Sequence, residues 1–123
     1  MSKPLAAIAL AALGLLALPA SAACNYPRAP ERIPDGATAK IDELVATQKL
    51  VKQFDADIAA YTECLQKELD DAKAATPALE PARLKELEAM REKRHNAAVD
   101  EASSVAERFN EQVRIFKAKS KKD

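Results

Sequence analysis

Thr76-Pro77-Ala78-Leu79-Glu80-Pro81 decides the fold of this chain. Two prolines four positions apart cannot both sit deep in a helix, because each removes a backbone donor and collides with the carbonyl one turn earlier. The segment therefore ends one helix and starts another, and Pro81 suits a first helical position. Upstream, Leu44, Val51, Ile58, Leu65 and Ala72 recur at every seventh residue, with Ile41, Phe54, Tyr61 and Leu69 on adjoining positions. That periodicity predicts a helix over 38–75, capped by Thr38, with Asp42 and Glu43 set against the positive end of its dipole. Downstream, Leu84, Leu87 and Met90, then Ala98, Val99, Ala102, Val105, Phe109, Val113 and Phe116, predict a second helix over 81–117.

Two long helices on a short connection pack as antiparallel neighbours. Folding about 76–81 sets Ile58 near Val99, Val51 near Ala106 and Leu44 near Val113. It also brings Glu63, Glu68, Asp70 and Asp71 alongside Arg83, Lys85, Arg91, Lys93 and Arg94. Hydrophobic pattern and charge agree on one architecture: all-α, a long antiparallel two-helix hairpin of coiled-coil character. The seam is interrupted at 91–96, REKRHN, which is polar on every face and either weakens the packing or marks a docking point.

Working outward to the N-terminus, 24–37 carries Pro27, Pro30 and Pro34, which forbid a helix and favour extended polyproline II. Asp35-Gly36 is a turn pair. Residues 1–23 read as a secretory signal peptide: Lys3, then an apolar run from Leu5 to Leu18, then Pro19-Ala20-Ser21-Ala22-Ala23. The run is shorter than the about 20 residues of a membrane span. Cleavage after Ala22 and cleavage after Ala23 both fit the small residues there, and the second leaves Cys24 first, as in a lipoprotein. Ser21 stands where a lipobox usually has leucine, and acylation would leave Cys64 as a free thiol. In an oxidising compartment Cys24 and Cys64 are natural disulfide partners. Geometry allows it: Cys64 lies about 39 Å along a helix starting at Thr38, and a polyproline segment from Gly36 back to Cys24 spans about 37 Å. The N-terminal segment then becomes a strap in the groove between the helices, with Tyr26 and Ile33 lying in it. The resulting division is signal peptide 1–23, strap 24–37, hairpin 38–118 and basic tail 119–123.

The chain has 19 basic and 19 acidic residues, and loss of Lys3 with the signal peptide would leave one net negative charge. Such balance argues against a nucleic-acid binder. Cys24-Asn25-Tyr26-Pro27, Ile33-Pro34-Asp35-Gly36 and Tyr61-Thr62-Glu63-Cys64-Leu65 resemble a pattern in a group of small, functionally uncharacterised secreted proteins of proteobacteria. The resemblance covers Cys24 to about Leu65. It implies that the two cysteines and the Ile-Pro-Asp-Gly turn form a shared scaffold, and it brings no activity. The Leu-Thr-x-x-Gln repeats of Spy-like hairpin chaperones are absent.

Catalytic chemistry finds no foothold. His95 is the only histidine, so neither a nucleophile–histidine pairing nor a metal-ligand spacing assembles around it. Asp55/Asp57 and Asp70/Asp71 read as solvated helix faces, and there is no phosphate-binding glycine loop. No cofactor or metal is expected. The expected interaction surface is Arg91, Lys93, Arg94 and His95 together with Phe116, Lys117, Lys119, Lys121 and Lys122. The lysines there also suit weak contact with anionic lipid headgroups, or simply complement the helix dipole. The resulting expectation is a periplasmic or secreted non-enzyme, an envelope adaptor or scaffold acting on a protein partner, with homodimerisation open. The alternatives are a holdase-type chaperone and a factor held at the membrane or cell wall by the tail or by lipid on Cys24.

Overall fold

The computed structural model describes residues 23–75 and 78–123. The expected signal peptide, apart from Ala23, and Thr76-Pro77 of the break lie outside them. Two helices make up the fold, α1 over Ile41–Ala75 and α2 over Pro81–Ser120. At 1.5 Å per residue they run about 52 and about 60 Å. Their antiparallel pairing is fixed at both ends. Lys73 pairs with Glu88 near the turn, and Leu44 shares a core with Phe109 and Val113 at the other end.

The helix ends differ from the sequence expectation. Thr38 does not cap α1. The Asp35 carbonyl accepts the N–H groups of Thr38 (3.1 Å) and Ala39 (2.8 Å), and the Asp35 carboxylate accepts that of Ala37 (2.9 Å). Those bonds hold 35–39 as a turn and delay the helix to Ile41. The Glu43 carboxylate then reaches back to the Lys40 N–H (2.7 Å), which is half of a capping box. At the other end α2 outlasts the expected Lys117 and runs to Ser120, whose hydroxyl donates to the Phe116 carbonyl (3.0 Å). Lys119 is therefore helical, and the basic tail is reduced to a final turn. Pro81 stands in the first turn of α2 as expected, behind an extended Glu80 (φ −61°, ψ 140°).

The core lies on the periodic positions. Phe54, Ile58, Tyr61 and Leu65 of α1 pack with Ala98 and Val105 of α2, and Leu65 and Val105 are 1% exposed. A second cluster joins Ala39, Leu44 and Phe109, with Val113 and Phe116 against it. Thr47 is buried among them, and its hydroxyl donates to the Glu43 carbonyl (2.8 Å). Val99 and Met90 depart from the expected stripe: they are 41% and 52% exposed, on the flanks of α2.

The third layer is the strap. Cys24 and Cys64 are disulfide-bonded, with Cα atoms 5.8 Å apart. Cys24, Ala29 and Ile33 pack against the central cluster, and Pro34 and Gly36 are buried. Tyr26 meets Tyr61 edge-on (ring centroids 5.1 Å apart, 69° between planes), and its hydroxyl donates to Glu101. Tyr26 is nonetheless 46% exposed, so it edges the groove where the sequence expectation placed it inside. Gly36 closes the far end. Its N–H donates to Gln112 Oε1 (2.9 Å), and a Cβ there would stand 2.0 Å from the Gln112 carbonyl oxygen. Only glycine permits the strap to lie this close to the backbone of α2. By the chain-entropy argument a bridge between residues 40 apart contributes about 4 kcal/mol.

Candidate functional site

The strap ends at Cys24, bonded to Cys64 about two-thirds of the way along α1, so the turn-proximal third of the hairpin is a bare two-helix layer among the described residues. In that third an open groove of about 250 Å³ lies between the helices. Leu65, Leu69 and Ala72 of α1 and Leu87 and Met90 of α2 give it an apolar floor and wall, and Glu68, Arg91 and Arg94 line its edge.

Arg94 belongs to the seam as much as to the surface. Its Nη1 donates to Glu68 Oε2 (3.0 Å), and its guanidinium carbon lies 5.9 Å from the centroid of the Tyr61 ring. Burial works against its charge, but the contacts with Tyr61 and Glu68 outweigh that and hold its pKa above the usual value. The 91–96 stretch therefore does not weaken the seam as its polarity suggests: here a cation spans the two helices in place of an apolar knob. Glu68–Arg94 is the one expected cross-helix charge pair that forms. Asp71 pairs instead with Lys67, Arg83 with Glu86, and Asp70 accepts from the side chain of Gln66; Lys73–Glu88 crosses in the opposite sense.

Arg91 stands one turn before Arg94 on the same edge. It is half-buried, and its Nε is buried without a hydrogen-bond partner in the protein. A buried donor left unpaired is costly, and an oxygen acceptor entering the groove would satisfy it. Arg91 thus combines a fixed charge, an unpaired donor and an apolar neighbour in Met90.

The remaining expected residues divide between two places. Lys93 is exposed and His95 half-buried beside Arg94. Phe116 packs against the Ala39–Leu44–Phe109 cluster, and Lys117 lines a groove with Ile41 and Val45. Lys119, Lys121 and Lys122 are exposed. About 38 Å of helix separates Arg91 from Phe116, so the expected single surface is two surfaces at opposite ends of α2. Glu68, Leu87 and Met90, which complete the Arg91 groove, were not singled out as interacting residues. Position one helical turn apart from Arg91 or Arg94 was the available clue.

Among the described residues no three His, Cys, Asp or Glu side chains gather as a metal site. Nor is any helix there long and apolar enough to cross a membrane. The Cys24 sulfur is bonded to that of Cys64. Comparison with protein-family models, with curated proteins and with solved structures finds no match to this chain.

Proposed function

We propose that this chain is an exported, non-catalytic envelope protein, an adaptor or scaffold that works in the periplasm by binding a protein partner. The observation that carries the reading is the Arg91 groove: an apolar trough at the strap-free end of the rod, edged by two arginines, with a buried donor lacking an acceptor in the protein. Its chemistry suits a partner segment that offers an apolar side chain beside a carboxylate. Arginine forms charge-assisted bonds with carboxylates, and Leu69, Leu87 and Met90 supply the apolar contact. The disulfide and the N-terminal 1–23 sequence support an oxidising compartment reached by export.

A photo-crosslinking residue at Met90, which is 52% exposed, tests this in the living host. The expected result is a discrete adduct from the cell envelope that Arg91→Glu abolishes. A smear of many adducts insensitive to Arg91→Glu would sink the adaptor reading. That second pattern would favour the holdase alternative, which the exposed Ile41, Leu50 and Met90 side chains support. Intact mass of the recovered protein, before and after reduction with alkylation, tests export. Cleavage after Ala22 or Ala23 with two thiols released only on reduction is expected. A diacyl mass on Cys24 would refute it.

A further inference from the structure

A two-helix hairpin has two grooves, and the strap fills one. Its residues lie across α1 and reach Glu101 and Gln112 of α2. The opposite groove has no third layer among the described residues. Along it Ile41 (56% exposed), Val45 (44%) and Val99 (41%) stand out. Between them Ala59, Ala102 and Ala106 keep the middle shallow enough for another helix to approach. Single exposed apolar side chains are ordinary on a surface, but three lining one groove are an unpartnered face.

The charges on this face have a direction. Asp55 lines the groove at the end nearer the turn and Lys117 at the end nearer the C-terminus, while exposed Lys52 stands between Val45 and Ala59 near the middle. Over the length of this face the outer flank of α2 runs Asp100, then Glu107, then Arg114, with Lys93 just beyond its turnward edge. A face that is acidic at one end and basic at the other is complementary to itself turned end for end. A flat anionic membrane would meet the acidic end unfavourably, whereas a second copy satisfies both ends at once. From Ile41 to Thr62 the face is about 30 Å long and two helix diameters, about 20 Å, wide. Its footprint of roughly 600 Å² exceeds the roughly 500 Å² per partner that a specific interface needs.

We propose that this face is a dimer interface between two copies of the chain, related by a two-fold axis perpendicular to the helices. α1 then lies antiparallel to α1 of the second copy, and α2 to α2, in a four-helix bundle. Arg114 and Lys117 of each copy lie over the Asp55–Asp100 end of the other. Both straps and both Arg91 grooves remain outside, so the dimer presents two partner sites at its two ends. Dimerisation goes beyond the adaptor reading and stands or falls separately.

Sedimentation equilibrium of the oxidised full-length gene product, recovered from the host envelope, tests it. The wild-type protein is expected to run at twice the mass of one chain. Val45→Glu with Val99→Glu is expected to run as one chain with unchanged helical circular dichroism, because both side chains already meet solvent. Asp55→Lys is expected to weaken association about tenfold, and Asp55→Lys combined with Lys117→Asp to restore most of it. A single chain mass at about 100 μM wild-type protein would overturn the proposal. So would a dimer that survives the valine substitutions, or a charge exchange that restores nothing. A monomer that still forms the Met90 adduct would overturn dimerisation and leave the adaptor reading standing.

Discussion

Replacing Gly36 by alanine sets two opposed effects against each other. Gly36 has no positive φ, so alanine meets no intrinsic backbone penalty there. On that ground alone the substitution would stabilise the protein by about 0.4–1 kcal/mol, through a less flexible unfolded chain. Against this, the new Cβ would stand 2.0 Å from the Gln112 carbonyl oxygen and 2.9 Å from its carbon. Both atoms belong to the backbone of a long helix and cannot rotate aside, so the strap must lift by roughly 1 Å. Overpacking of this kind costs about 1–3 kcal/mol. Lifting also breaks the bond from Gly36 N–H to Gln112 Oε1, worth about 1 kcal/mol. The collision wins, and the net effect is a loss of about 1–3 kcal/mol, read by urea denaturation followed at 222 nm. Trypsin supplies a local readout at Arg28 and Arg32, which are exposed on the strap. If cleavage follows the population of lifted strap, each 1.4 kcal/mol gives about tenfold, so Gly36→Ala should be cut about ten times faster or more. A Gly36→Ala protein as stable as wild type, or slightly more stable, and cut at the same rate would mean that the strap is not seated on α2.

Cys24→Ala with Cys64→Ala should lose about 4 kcal/mol, lowering the melting temperature by at least about 15 °C while leaving the helices assembled below it; a shift under about 3 °C would refute the strap's role. The Tyr26 phenol is pushed up to about 12, first by burial and then by Glu101, against a usual value near 10. A pKa raised on folding favours the protonated form, so the Tyr26 contribution is complete below about pH 10 and is lost as pH rises through about 12. The difference between the phenolate absorbance titrations of wild type and Tyr26→Phe should show that midpoint, and a midpoint near 10 would contradict it. Arg94→Ala should cost about 1 kcal/mol, because its ion pair with Glu68 is a third or more exposed and its contact with Tyr61 adds a modest term. A loss beyond about 3 kcal/mol in denaturant would show that Arg94 is a keystone of the seam. Amide hydrogen exchange should be slowest across 54–65 and fastest among helical residues in 70–75 and 81–90; uniform protection along both helices would contradict a strap that covers only part of the hairpin.

The hairpin was legible because its determinants are local. Pro81 fixes a helix start through its own ring, and the seven-residue recurrence of Leu44, Val51, Ile58, Leu65 and Ala72 marks a buried stripe without reference to any partner. The reach of the strap was legible too, since polyproline and helix rises set it. What escaped were features decided by residues distant in sequence. Gly36 reads as a turn glycine beside Asp35, yet its need for a bare Cα comes from Gln112, 76 positions away. Tyr26 depends in the same way on Glu101. The contact of Arg94 with Tyr61 escaped for another reason, although its pairing with Glu68 was legible. A hydrophobic pattern counts apolar residues and cannot register a guanidinium that packs on an aromatic ring while pairing with a carboxylate across the seam. The start of α1 was misplaced because Thr38 is a good cap by type, whereas the Asp35 turn had already taken the backbone around it.

The strap divides the rod unequally, covering about two-thirds of it to Cys64, and that division bears on where a partner would bind. In the strapped part Phe54, Ile58, Tyr61 and Leu65 are buried with Ala98 and Val105 and packed by strap residues, and that strap is held covalently. In the other part Leu84 and Leu87 are only half-buried, Met90 is exposed, and the ion pairs are solvent-facing ones worth at most about 1 kcal/mol each. Local opening therefore costs least on the turn side of the Arg91 groove, where Leu87 and Met90 can re-pack around an incoming segment while Leu65 stays in the main core. The proposed docking surface is well placed at the adaptable end of the rod. The adaptable end supplies fit, while the disulfide-pinned part keeps the rod's length and direction fixed. The sequence distributes its residues accordingly: both cysteines and the buried glycine serve the strapped part, and an arginine with an unpaired donor faces the open one.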